Sequence, residues 1–245
     1  MTEEKPQQKK EDIKTFLESF KIASERKKLG LLTVLEQRVE ELLELGPSLM
    51  SGFDSALCEW APGFILQLIH KADENFIKNN LDCDDLSWFS APSEVGFDYS
   101  QLQQYLLNQS YEDADRFTSS KLRELAGEKA VTRGYVYFSE VESIPVIDLT
   151  TLNKLWIVYS RGKFGFTVQA KILDSVGGRY DKLWPRIGWK NDGIWTRYPK
   201  AFNWSIEAPN GHMPLINQLR GVRLMDSLLN HDALLIKSND SNINV

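Results

Sequence analysis

The sequence is poor in residues that build disulfide frameworks and metal clusters: its 245 residues include two cysteines and three histidines. Cys58 and Cys83 lack CxxC spacing, which excludes a zinc ribbon or a dithiol redox pair and fits a reducing compartment. His70, His212 and His231 are scattered, with no HExxH and no His/Cys cluster at ligand spacing, and His212, in the turn-like Ala208–Pro214 stretch, reads as structural. No GxGxxG, Walker A or GxSxG pattern occurs, so the common phosphate-binding and nucleophile-bearing turns are missing. Long apolar runs are missing too: Leu29–Leu32 and Phe64–Ile69 are soon broken by charge or Gln, far short of the roughly 20 residues that span a bilayer. Met1 to Lys14 mixes Lys with Glu and Asp and has no apolar h-region, so neither a secretory signal nor an acid-poor transit peptide is expected.

What the chain does have is a 42% apolar composition, enough for a sizeable core, and an uneven charge. Net charge is -5, yet Ser175 to Met225 holds eight Lys or Arg against three acids, so about -10 falls on the remainder. That asymmetry points to an anionic ligand or partner at the C-terminal end.

Helical periodicity dominates the first ninety residues, through Ile13, Phe16, Leu17 and Phe20, then Leu32, Leu35, Val39, Leu42 and Leu43 up to Gly46-Pro47. A further helix is expected around Phe53, Ala56, Leu57 and Trp60, stopped or kinked by Pro62 and resumed at Phe64. The acidic, turn-rich stretch Leu81–Phe97 sets a boundary, giving a helical bundle over 1–90, a second domain over 91–236 and a polar tail over 237–245. Beyond the boundary, Tyr111, Ala114, Thr118, Leu122 and Leu125 form a helical face ended by Gly127; Glu112 and Asp115 fall in its first turn, where acid complements the helix dipole. Tyr135–Asp148 is ambiguous between strand and helix, Asp148 offers an N-cap for a helix over Leu149–Tyr159, and residues 166–173 can form a short one. The last helix is expected from about Leu215 to His231, with Leu215, Leu219, Val222, Leu228 and Leu229 inward.

Between these helices, Gly177–Pro214 is a long loop carrying Trp184, Trp189, Trp195 and Trp204 together with Tyr198, Phe202 and the cations Lys182, Arg186, Lys190, Arg197 and Lys200. Aromatic faces suit a flat conjugated ligand and the cations suit acidic groups at its edge, although such rings also serve as core beneath a loop. Asn217, Arg220 and Arg223 are spaced three apart on the last helix, so their polar groups share one arc and can meet paired carboxylates. Aromatics interleaved with Lys and Arg also describe a single-stranded nucleic-acid-binding module, the alternative function, but the acidic remainder disfavours a phosphate-backbone binder.

Five stretches carry a resemblance: Ile144–Trp156 with Ser160–Gln169, Lys182–Lys190, Trp195–Lys200, Ala208–Pro214 and Asn217–Arg223. In this order they resemble the genomes-uncoupled-four family in its cyanobacterial form. The resemblance implies an all-α fold, an N-terminal helical bundle followed by a helical porphyrin-binding core with long loops, and helix over strand at Tyr135–Asp148. It implies a non-catalytic regulator of chlorophyll synthesis that binds protoporphyrin IX or Mg-protoporphyrin IX, holds no metal of its own and stimulates magnesium chelatase by contacting its large porphyrin-binding subunit. Carried over by motif, the porphyrin-binding groove comprises Phe138, Val141, Ile187, Trp189, Trp195 and Tyr198, with Arg220 and Arg223 as polar contacts. Asn217 is then the axial ligand of a porphyrin-bound magnesium, an ion that favours oxygen donors. Tyr198 stands where the family often has Trp. A cytoplasmic monomer is implied, peripheral to thylakoids at most, or a stromal one if plastid-encoded.

Overall fold

A computed structural model describes residues 11–216 and 222–235. Asp12 caps the first helix, its carboxylate accepting from the N–H groups of Lys14 and Thr15 at 3.0 and 3.4 Å. Helix α1 (Ile13–Lys21) buries Ile13, Phe16, Leu17 and Phe20, the stripe its spacing predicts. Three short helices, α2 (Glu25–Gly30), α3 (Leu32–Gln37) and α4 (Val39–Leu43), lead to α5 (Trp60–Ala72) and α6 (Phe76–Asn80). Residues 51–59 form turns rather than the expected helix, and Pro62 does not kink anything. It lies in the first turn of α5, where no intrahelical bond needs its missing N–H.

The rest of the chain comprises α7 (Ser100–Leu107), α8 (Tyr111–Leu125), α9 (Glu128–Arg133), α10 (Val146–Val158), α11 (Phe166–Ser175), α12 (Tyr180–Arg186) and α13 (Arg223–Leu229). Within the ambiguous segment Phe138–Ser143 is a 3₁₀ turn and Val146–Asp148 opens α10, with irregular residues between and no strand, so helix prevails over strand there, as the resemblance implies. Strand structure among the described residues is confined to two antiparallel dipeptides, β1 (Lys190–Asn191) and β2 (Ile194–Trp195), with Lys190 opposite Trp195. No described helix is long and apolar enough to cross a membrane.

Two further expectations differ from the structure. α10 starts at Val146 after Pro145, so Asp148 is inside the first turn rather than capping it. Fully buried, it accepts from Ser93 Oγ at 2.5 Å, Tyr99 Oη at 2.7 Å and the Glu94 N–H at 2.9 Å, tying the boundary segment to the core. The last helix is also shorter than expected: Leu215 and Ile216 are non-helical, Val222 is exposed, and Leu219 lies outside the described residues.

Helix α10 is apolar nearly all round and, beyond the exposed Val146, Ile147 and Thr150 at its start, is buried from Thr151 to Val158, with Leu149, Leu152, Leu155, Trp156 and Val158 inaccessible. Where α5 crosses it, a Cβ on Gly63 would run into the Val158 carbonyl, so only glycine allows this approach. Gln67 of α5 donates to the Leu106 and Tyr159 carbonyls, both at 2.8 Å. Lys154 of α10 reaches the other way, its ammonium donating to the carbonyls of Ser55, Ala56 and Ser90 at 2.7, 2.9 and 3.0 Å. Phe89 packs edge-on against Tyr159 at 5.1 Å. The hydrophobic core therefore runs unbroken through the acidic stretch at 81–97.

Candidate functional site

α8 forms one wall of an open cavity of about 820 Å³, a size in the range of small-molecule sites. Ser119, Leu122 and Arg123 face it from α8. Tyr135, Val136, Val141 and Ile144 contribute a second wall from the segment around the 3₁₀ turn. Trp189, Trp195, Thr196, Arg197, Tyr198 and Phe202 form the loop wall, and Leu215, Ile216, Leu224 and Leu228 close the remaining side.

The aromatic loop supplies both foundation and rim. Trp184 and Trp189 stack at 5.8 Å and 7°, and Trp195 leans on Trp184 at 5.5 Å. The Trp189 indole N–H donates to the His212 carbonyl at 2.8 Å, and the ring is 1% exposed, a fixed back wall. Trp195 and Tyr198 are 45% and 44% exposed and offer their rings to an incoming molecule.

Of the residues expected from the sequence, Val141, Trp189, Trp195 and Tyr198 are brought together in this lining. Phe138 stands outside it, exposed, with the Arg223 guanidinium 5.4 Å over its ring. Ile187 is fully buried beneath the loop; a Cβ on Gly211, at φ +73°, would come within 3.0 Å of it. Asn217 and Arg220 lie outside the described residues.

Much of the motif pattern serves to fasten the loop. Gln169 of α11 donates to the Gly211 and Pro214 carbonyls at 3.0 and 2.8 Å, and the Gly165 N–H donates to the Met213 carbonyl at 3.0 Å. His212 is buried, with Nδ1 at 2.7 Å from the Ile187 carbonyl and Nε2 accepting from the Asn203 N–H at 3.3 Å. Burial lowers its pKa, which holds the ring neutral, and no face of it reaches the cavity.

Sequence reasoning missed Asp115. It is a wholly buried carboxylate rather than a first-turn surface acid, accepting from the Leu215 N–H at 2.6 Å and the Tyr198 hydroxyl at 3.2 Å. Burial pushes its carboxyl up to about 7, against the opposing pull of those two donors. The signal was present: Asp115 falls on the inward stripe with Tyr111, Ala114 and Thr118, where an acid needs partners. Arg123 was also missed, because it adjoins the core position Leu122, whereas Arg197, one of the loop cations read as suiting acidic groups, stands on the cavity wall.

A family model described as GUN4-like matches residues 92–232, more than half of the chain. A Ycf53-like protein of Synechocystis is 45% identical over 172 residues, covering 70% of this chain and 74% of that one. The chloroplastic tetrapyrrole-binding protein of Arabidopsis thaliana is 36% identical over 152 residues, covering 58% and 57% respectively. Among solved structures, GUN4 from Chlamydomonas reinhardtii superposes with a TM-score of 0.56 at 36% identity, over 59% of this chain and 93% of that one.

Proposed function

Because the chain belongs to the GUN4-like family, the genomes-uncoupled-four family of its motifs, we propose that it is a non-catalytic tetrapyrrole-binding protein whose site is the cavity beside α8. The observation that carries this reading is the lining itself: stacked and half-exposed indoles around an open apolar hollow, with cations and no carboxylate facing it. A flat macrocycle would lie against Trp195, Tyr198 and Val141, with the Trp184–Trp189 stack as a rigid backing that need not reorganise on binding. The chloroplastic relative's name, a tetrapyrrole-binding protein, supports the same ligand class.

Within that class the ligands are protoporphyrin IX and its magnesium form. Asn217 then supplies an amide oxygen to a bound magnesium and Arg220 a polar contact, while Arg223 acts from beside Phe138. The loaded protein stimulates magnesium chelatase by docking on its large porphyrin-binding subunit, as a monomer, with residues 1–90 an accessory bundle to a ligand-binding core over 91–236. It works in a cyanobacterial-type cytoplasm or plastid stroma, at most peripheral to thylakoids. Titrating deuteroporphyrin IX into the protein should quench tryptophan fluorescence and shift the Soret band; an unchanged spectrum at micromolar protein would reject the site. A chelatase assay with and without the protein tests the regulatory part, and turnover of bound porphyrin by the isolated protein would contradict a non-catalytic role.

A further inference from the structure

Two guanidinium groups face a cavity whose remaining lining is aromatic, aliphatic or hydroxyl-bearing, and no Asp or Glu shares that lining. Nearby arginines are otherwise engaged. Arg133 pairs with Glu140 at 2.5 Å and lies 3.9 Å over the Tyr137 ring, Arg116 pairs with Glu112 at 2.5 Å, and Arg223 covers Phe138. Neither Arg123 nor Arg197 meets a carboxylate among the described residues.

Their positions follow from the elements that carry them. Arg123 is eight residues beyond Asp115 on α8, about 12 Å along the helix axis, with Ser119 between them on the same face. Arg197 immediately precedes Tyr198, whose hydroxyl is held by Asp115. One end of the α8 face thus anchors the loop wall, and the other presents a half-buried cation to the hollow. A cation at an apolar, acid-free cavity attracts an anionic edge, and the guanidinium fork matches a carboxylate's two oxygens.

Resting on the tetrapyrrole reading, we infer that Arg123, with Arg197 from the loop wall, binds the side-chain carboxylates of the ligand and selects tetrapyrroles that keep those carboxylates free over esterified ones. The contact is a second acid-binding subsite, made by residues other than Arg220 and Arg223. Arg123 is the stronger contributor, since its stem is partly enclosed while Arg197 is exposed.

The test compares deuteroporphyrin IX with its dimethyl ester, the same macrocycle without negative charge, by tryptophan quenching of wild type, Arg123→Leu, Arg123→Lys and Arg197→Leu. Wild type should bind the free acid about tenfold more tightly than the ester. Arg123→Leu should lose about that factor for the acid and leave the ester unchanged, with Arg123→Lys in between and Arg197→Leu weaker in effect. Added salt should narrow the gap between the two ligands in wild type. Equal losses for acid and ester in Arg123→Leu would mean that the residue only packs, and wild-type affinities in all variants would remove it from the site; either overturns the inference while the tetrapyrrole reading stands. Failure of both porphyrins to quench wild type would instead sink that reading and the inference together.

Discussion

The Asp115 carboxylate and the Tyr198 hydroxyl meet at 3.2 Å across 83 positions of sequence. The same carboxylate also accepts from the Leu215 N–H at 2.6 Å, so one buried acid on α8 fixes two separate walls of the cavity. The shape of the hollow therefore depends on a group that does not line it.

The first consequence concerns pH. With its carboxyl raised from 3.8 to about 7, Asp115 keeps its proton in the folded chain while the unfolded chain has released it. Across about pH 4 to 7, stability from this group falls as pH rises, by at most about 1.4 kcal/mol per pH unit, and the loss is complete above that window. His212, lowered by burial, pushes the other way as pH falls, so the informative quantity is a difference between proteins. Urea unfolding at pH 5 to 8 should show Asp115→Asn gaining on wild type as pH rises, and parallel curves would refute the assignment.

Tyr198→Phe tests the same contact from the other side. Losing the hydroxyl removes a donor that pulls the Asp115 carboxyl down, so the titration should move upward. About 1 kcal/mol of stability at neutral pH should go with it, measured by denaturant midpoint. A midpoint and pH profile identical to wild type would show that this bond contributes nothing.

Trp189 and Trp195 should separate cleanly by substitution. Trp189→Ala removes a buried, stacked and hydrogen-bonded ring and is expected to cost about 3–5 kcal/mol, seen as a large drop in Tm. Trp195→Ala removes a half-exposed ring and should weaken porphyrin binding several-fold with little change in Tm. The reverse pattern in melting and titration would contradict the division into backing and rim.

Gly63→Ala is expected to destabilise by about 1–3 kcal/mol or more, because α5 must lift off α10 to admit one methyl group against the Val158 carbonyl. Chemical denaturation measures this directly; a loss under half a kcal/mol would mean that the helices part more easily than their packing suggests.

Helix periodicity made the fold class legible, and the stripe Ile13, Phe16, Leu17 and Phe20 is buried as read. Proline misled at Pro62, because its effect depends on distance from a helix start that periodicity did not locate. Asp148 reads locally as an N-cap and Asp115 as a first-turn acid complementing the dipole, yet both are interior acceptors for partners 49 to 100 positions away. Long-range partners leave no local pattern. For the candidate site, aromatic density marked the loop, and Val141, Trp189, Trp195 and Tyr198 do converge. Density could not distinguish the sealed Trp189 from the open Trp195, nor place Ile187, which is packed beneath the loop, away from the hollow. Arg123 escaped because a lone cation beside an apolar stripe looks the same whether it faces bulk water or a concave wall.

The ammonium of Lys154 has a bearing on how this chain can be shortened. Its three acceptors belong to Ser55, Ala56 and Ser90, all upstream of residue 91. A fragment beginning there would keep the positive charge on α10 but discard every oxygen that cradles it, and would strip the cover from the Val158 carbonyl opposite Gly63. Such a fragment would have to recruit solvent along a face that is dry in the full chain, so comparisons between trimmed and untrimmed forms would report that rewetted flank as well as the missing helices.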